Sequence, residues 1–371
     1  MKIVLIGPVH PYVGGISQHT GLLCEALRAE HQVVMFSYKF LYPRFLFKRK
    51  QKDESGGGSI GDTRFIIHTA NPFNWISSAR KIRDEKADLI VVPWWHPYFA
   101  PCYLTMTRFM GKSKLVFVCH NVFPHERFPL DRFLTKWVLR KGDAFVVQSR
   151  TDEADLKSIK PDAVCRVNPH PTYDIFRAEG ISEAEGRGRL GIGADIPMLL
   201  FFGFIREYKG LRHLLAAMPA VLERMPEAQL WVVGDFAGDR AAYEALMEGG
   251  GITTNVHIVD GYIPDREVEN YFAAADLVVL PYESATQSGI VQIAYAFEKA
   301  VVVTDVGGLP EVVRDGETGF VVEARNPQAL AAAIIRYFTE GRRDEFRENI
   351  RAHAAEFSWE RLAEKVVDVV Y

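Results

Sequence analysis

The chain holds 371 residues, 48% of them hydrophobic and 25% charged, with a formal net charge of −3. That length exceeds one ordinary core and predicts two domains, and the composition excludes a disordered or fibrous chain. No apolar run approaches the roughly 20 residues needed to cross a bilayer, and the opening MKIVLIG is too short for a signal-peptide core.

The charge is unevenly divided. Residues 1–175 carry 25 Lys and Arg against 16 Asp and Glu, a balance of +9, and the remainder carries 19 against 31, a balance of −12. Such an asymmetry predicts domains with different partners. Cys24, Cys102, Cys119 and Cys165 share no short spacing, so they read as reduced thiols of a cytoplasmic protein, not as disulfides or metal ligands.

Residues 2–6, KIVLI, predict a first strand, followed by the loop GPVHPYVGGIS and by helical spacing at Leu22, Leu23, Ala26 and Leu27. Gly14 and Gly15 place side-chain-free backbone at the mouth of the sheet, where a ligand can approach the N–H groups. The G-x-G-x-x-G order is absent, which argues against a dehydrogenase. A second strand is predicted at 33–37. The stretch 38–52 then mixes aromatic residues with Lys and Arg and runs into SGGGS at 55–59, a flexible composition. It is read either as a loop folded over its own domain or as a contact with an anionic membrane surface. Further strands are predicted at 65–68, 87–92 and 115–119, and His120 stands at the carboxyl end of the last, a ligand-facing position in such sheets. Residues 144–149 are read as the strand that closes this sheet, and 167–171, VNPHP, as the crossing into the second domain.

Residues 198–202 open a second sheet. The loop after it, GFIREYKG at 203–210, holds Arg206 and Lys209 between Gly203 and Gly210. Two cations at a strand end suit a diphosphate, since Arg forks onto two oxygens while Lys acts as a point charge. Strands are predicted at 228–234, ending on Gly234, and at 255–259. Tyr262 lies in the turn that follows, ahead of a short amphipathic helix at 268–275. The stretch 282–311, with the strand just before it, then gathers the site. An apolar strand ends at Pro281, a polar loop spans 284–288, and a buried helix runs from Gly289 to Phe297. A strand at 300–304 leads to a second glycine loop, Gly307 and Gly308, opening another helix. A helix that starts at a glycine offers free N–H groups and the positive end of its dipole to an anion. Ser358 is the predicted N-cap of a last amphipathic helix.

Taken in order, the loop 203–210, Gly289 with its apolar helix, VVVTDVGGLPE at 301–311 and DGETGF at 315–320 resemble the retaining glycosyltransferases of family 4. The resemblance covers nearly the whole chain and is weakest over 38–61. It implies an α/β fold of two Rossmann-like domains facing across a cleft, the GT-B type. Residues 1–173 would form the acceptor-side domain, joined by 357–371 as a returning helix, and 174–356 the nucleotide-sugar domain. It implies transfer of a sugar from a UDP- or GDP-linked donor to a saccharide or lipid-linked acceptor, in polysaccharide biosynthesis for the cell surface. Neither metal nor cofactor is expected, nucleic acid is not an expected partner, and the location is the cytoplasm, peripheral at the inner membrane face. His120 matches the family histidine that contacts the donor sugar, with Asn121 where Asp is usual. Arg206 and Lys209 match the pair that holds the diphosphate, and these three are the catalytic candidates. Donor binding is implied for Gly14, Gly15, Gly203, Gly234, Tyr262, Glu283, Thr286, Gln287, Ser288, Gly289 and Ile290.

One motif departs from the family. Its two glutamates, eight positions apart around the helix-starting glycine, fall on Thr286 and Ala294 when aligned on Gly289. Ala294 cannot accept a hydrogen bond, and a charge-assisted bond contributes about 1.5–3 kcal/mol. Glu283, Glu298, Gln287 and Gln292 are the candidate substitutes. The alternative reading is a nucleotide-sugar-binding or regulatory protein that has lost turnover.

Overall fold

Apolar runs of four to six residues rich in Val, Ile and Leu become parallel strands buried on both faces. The computed structural model describes residues 1–43, 51–52, 61–124, 129–236 and 240–371. These form two units, Met1–Pro169 with Trp359–Tyr371, and His170–Ser358.

In the first unit the chain runs β1 (Lys2–Ile6), α1 (Gly15–Arg28), β2 (Gln32–Phe40) and β3 (Arg64–His68). Next come α2 (Pro72–Asp84), β4 (Leu89–Trp94), α3 (Ala100–Phe109) and β5 (Lys114–Cys119). The unit continues with α4 (Asp131–Leu139), β6 (Ala144–Val147), α5 (Arg150–Ile159) and β7 (Val164–Val167). The seven strands are parallel, in the order β3-β2-β1-β4-β5-β6-β7. Strand β6 does not close this sheet, contrary to the sequence reading, because β7 pairs with it from Ala144 opposite Val164 to Val147 opposite Val167. The segment VCRV alternates between exposed and half-buried positions, as an edge strand does, and so lacks the continuous apolar run by which the other strands were read.

The second unit begins with α6 (Glu183–Leu190), β8 (Met198–Phe202), α7 (Leu211–Arg224) and β9 (Gln229–Gly234). It proceeds through α8 (Arg240–Gly249), β10 (Val256–Asp260), α9 (Asp265–Ala274) and β11 (Leu277–Leu280). Then follow α10 (Gly289–Ala296), β12 (Ala300–Thr304), α11 (Leu309–Val312), β13 (Gly319–Val322), α12 (Pro327–Thr339) and α13 (Arg343–Ala354). Its six strands are also parallel, ordered β10-β9-β8-β11-β12-β13. The helix expected after Gly307 and Gly308 is a single turn, α11. Val313 is already extended, and a turn closed by Gly316 N–H to the Gly319 carbonyl at 2.8 Å feeds β13 at once.

The two central strands of this unit are tied at their amino ends by a buried pair. The Arg187 guanidinium donates to Asp276 at 2.6 Å and to the carbonyls of Gly193 and Ile196, and Asp276 also accepts from the Met198 N–H at 2.7 Å. Met198 begins β8 and Asp276 precedes β11, so one ion pair sets the registry of both. Finally α14 (Trp359–Asp368) packs Leu362, Ala363 and Val366 with Leu5, Leu23, Leu27 and Val91 of the first unit. No helix among the described residues is long and apolar enough to cross a membrane, and the four cysteines are free thiols.

Candidate functional site

In both sheets the crossover direction reverses beside the first strand, between β1 and β4 and between β8 and β11. Open α/β sheets bind ligands at the carboxyl ends of such strand pairs. In the second unit, β8 ends into the 203–210 loop and β11 into the 282–289 loop, so the topology puts both sequence-predicted loops side by side.

The two loops meet at Gly203. A side chain added there would lie 3.3 Å from the Lys209 ammonium and 3.5 Å from the Ile290 side chain. Lys209 sits on a single 3₁₀ turn, Glu207–Lys209, with its ammonium 5.1 Å from the centre of the Tyr282 ring. Burial works against its charge, but Tyr282 and Tyr208 outweigh burial and hold its pKa above that of an ordinary lysine, while Arg206 pulls the other way. Arg206 and Lys209 are therefore close enough to repel each other, and a bound anion would relieve that repulsion. Ile290 lies in the first turn of α10, whose N-cap Ser288 is buried and makes no side-chain cap. The leading N–H groups of that helix are not closed off by a side chain, which suits them to phosphate oxygens.

Two glycines make this close packing possible. Gly210, at φ 66°, ends the basic turn where a Cβ would fall 1.9 Å from the Pro281 carbonyl oxygen. Gly307, at φ 54°, would put its Cβ 1.6 Å from the Ala285 carbonyl oxygen. The second glycine loop thus braces the first loop as well as opening α11, whose N-cap is Gly308. Gly308 N–H donates to the Thr286 carbonyl at 2.9 Å, and the Gln287 amide donates to the Gly308 carbonyl at 3.0 Å. The Thr304 hydroxyl donates to the Tyr282 carbonyl at 2.5 Å.

Two of the candidate substitutes for the replaced family glutamates, Glu283 and Glu298, are acids with partners of their own. Glu283 accepts on one oxygen from Arg212 at 2.5 Å and His213 at 2.9 Å, and on the other from Arg325 at 2.9 Å. Burial pushes its carboxyl up, but these three partners outweigh it and hold the pKa at about 2. Glu298 pairs with Arg351 and Arg347 of α13. Both carboxylates are already engaged by arginines. Ala294 is fully buried, and so is Gln292, whose amide oxygen and nitrogen have no partner among the described residues. Tyr262 is exposed, with its hydroxyl 3.4 Å from Asp265, and Gly234 ends β9 against the Gly203 backbone.

In the first unit, Gly14 caps α1 and Gly15 begins it, and a Cβ at either would meet nothing within 4 Å. His120 follows β5, its N–H donating to the Trp94 carbonyl at 2.9 Å. Its Nδ1 is 3.0 Å from the Gln148 amide nitrogen. An amide nitrogen only donates, so Nδ1 accepts and the ring proton sits on Nε2. His19 meets the His120 ring edge-on at 4.4 Å and is packed in turn by Trp359 at 5.0 Å. Sequence reasoning missed Gln148, Tyr282, Arg212 and Arg325. Gln148 follows β6 as His120 follows β5, a placement that could have flagged it. The basic run R-E-Y-K-G-L-R-H at 206–213 likewise extends to Arg212.

The description "Glycosyltransferase Family 4" matches residues 13–171, and "Glycosyl transferases group 1" matches residues 196–340. The D-inositol 3-phosphate glycosyltransferase of Acidothermus cellulolyticus is 30% identical over 243 residues, 62% of this chain and 54% of that protein. The enzyme of the same name from Nocardioides sp. is 32% identical over 252 residues, 62% of this chain and 54% of that protein. The chain thus aligns with about half the length of these curated relatives. Among solved structures, sucrose-phosphate synthase from Thermosynechococcus elongatus superposes with a TM-score of 0.77 at 22% identity, covering 99% of this chain and 97% of that one. HepE from Anabaena, in complex with UDP-glucose, gives 0.75 at 17% identity, covering 99% and 98%. The two parallel sheets are those of the GT-B fold.

Proposed function

We propose that this chain, which belongs to glycosyltransferase family 4, moves a sugar from a nucleoside-diphosphate donor to a saccharide or lipid-linked acceptor, with retention and without a metal. The reading is carried by the meeting of Arg206, Lys209 and the uncapped start of α10 at the carboxyl ends of β8 and β11. When the glycosidic bond breaks, negative charge collects on the departing diphosphate. Cations and N–H groups already in place stabilise that charge without reorganising, which is the largest contribution such a site makes. They supply the neutralisation for which other enzymes use a divalent ion. Gly14, Gly15 and His120 act in the first unit, with the His120 Nε2–H as donor to a substrate oxygen. Uridine and guanosine are the bases we favour, and cytoplasmic assembly of cell-surface glycan is the setting.

A second reading, binding without turnover, is favoured by Thr286 and Ala294 together with the engagement of Glu283 and Glu298 by arginines. The test is thermal unfolding with UDP-glucose, GDP-mannose and their nucleotides. A ligand at a hundred times its Kd stabilises the folded state by about 2.7 kcal/mol. The natural protein should shift with one base and the Arg206→Ala/Lys209→Ala variant should not, while the two melt alike without ligand. An undiminished shift in the variant would overturn the site. Release of nucleotide on adding acceptor separates turnover from binding alone.

A further inference from the structure

The aromatic and basic stretch 38–52 lies largely outside the described residues. Within them, one buried group, Gln148, has no task in the sugar-transfer reading. Gln148 is the first residue past β6, as His120 is the first past β5. The register of those strands, Val116 opposite Ala144 to Cys119 opposite Val147, brings the two residues side by side. In-register neighbours on parallel strands point to the same face, and here they are joined, the Gln148 amide nitrogen 3.0 Å from His120 Nδ1. His120 is 7% exposed and Gln148 2%. The amide oxygen of Gln148 has no hydrogen-bond partner among the described residues. A buried oxygen in that state costs stability, and an apolar side chain of the same length would fill the space without that cost. Packing alone therefore does not account for a glutamine at this position.

The His120 ring is held on two sides. Gln148 takes up Nδ1, and His19 of α1 meets the ring edge-on with centroids 4.4 Å apart, itself packed by Trp359 at 5.0 Å. We propose that Gln148 is a positioning residue whose amide fixes His120 as the neutral tautomer with its proton on Nε2. A neutral imidazole can carry its one proton on either nitrogen, but an amide N–H can donate only to an Nδ1 that carries none. A carboxylate at 148 would do the reverse, since it only accepts and would draw the proton to Nδ1. Glutamine also adds no negative charge beside a substrate that is itself an anion. The effect on rate rests on the sugar-transfer reading; the tautomer rests on the ring and the amide alone.

The experiment compares the natural chain with Gln148→Glu, Gln148→Met, His120→Ala and His120→Ala/Gln148→Met. Proton–nitrogen NMR of protein carrying isotope-labelled histidine reads the ring, the His120 signals being those lost in His120→Ala. The natural protein should show a bare Nδ1 and a protonated Nε2, and Gln148→Glu a protonated Nδ1. Turnover is read as nucleotide released from UDP-glucose or GDP-mannose, whichever raises the melting temperature. Gln148→Glu should lower kcat by about a hundredfold, as loss of one fixed donor does. Gln148→Met should lower it by about fivefold, as loss of one neutral hydrogen bond does. Both should keep the natural nucleotide affinity, and Gln148→Met should melt no lower than the natural protein, which a purely structural glutamine would not allow. In the double variant the methionine should slow nothing beyond His120→Ala alone, because residues that act through one another are not additive. A protonated Nδ1 in the natural protein would overturn the proposal, as would additive losses in the double variant or natural kcat in Gln148→Glu. A natural protein that releases nucleotide from neither donor would instead defeat the sugar-transfer reading, and the NMR result would then decide the tautomer by itself.

Discussion

Replacing Glu283 by Gln should loosen the carboxyl end of β11 without removing a nucleotide ligand. The carboxylate side chain is 8% exposed, whereas its partners Arg212 and Arg325 are 41% and 70% exposed. An amide of the same shape accepts on one side only and turns its NH2 against either Arg325 or the Arg212–His213 pair. Breaking a fully buried pair costs about 3–5 kcal/mol and an exposed one about 0–1 kcal/mol, so a buried acid with exposed bases should lose about 2 kcal/mol. For a unit of this size that corresponds to roughly 4–8 °C in melting temperature. The pH dependence has a definite sign. The folded pKa of about 2 lies below the ordinary carboxylate value, so the stabilisation is complete above about pH 4.5 and fades as pH falls towards 2. Scanning calorimetry of both proteins from pH 7 downwards should show a gap that narrows in that window. Equal melting temperatures at pH 7 would refute the anchoring role. A large fall in UDP affinity at unchanged stability would instead make Glu283 a ligand group.

Gly307→Ala should destabilise the second unit by at least about 2 kcal/mol, read as a lower urea midpoint, because the added carbon meets backbone and the φ is left-handed. His120→Ala should lower turnover by about a hundredfold, as for loss of one fixed hydrogen-bond donor to the reacting substrate, with UDP affinity unchanged. Parallel loss of UDP affinity would place the histidine elsewhere in the reaction.

Much of the fold was legible because a parallel sheet demands continuous apolar runs, and 198–202 or 300–304 can be little else. The basic loop was legible because strand-end position, spacing and charge agree within eight residues. Edge strand β7 was not, since an edge has one wet side and its pattern resembles a loop. The role of Glu283 was hidden by distance: Arg212 lies 71 residues before it and Arg325 42 after, and only the fold brings them together. The second glycine loop does open a helix, α11, but its contact with Ala285, which requires Gly307, joins two separate loops and could not be read from the local sequence.

Helix α14 bears on how the chain is made as well as on how it stands. The first unit takes Leu362, Ala363 and Val366 into its core beside Leu23 and Leu27, yet about 190 residues separate Pro169 from Trp359. At roughly 5–20 residues per second, a ribosome needs about ten to forty seconds to cross that interval. Throughout it the half-built sheet shows the apolar groove on α1 that α14 will fill, while the second unit is complete in sequence first. Birth order and folding order are thereby reversed, and the interval is when chaperone contact and misassembly are most probable. A fragment ending at Pro169 should reproduce that exposed state permanently, and should be captured by hydrophobic-surface dyes where the full chain is not.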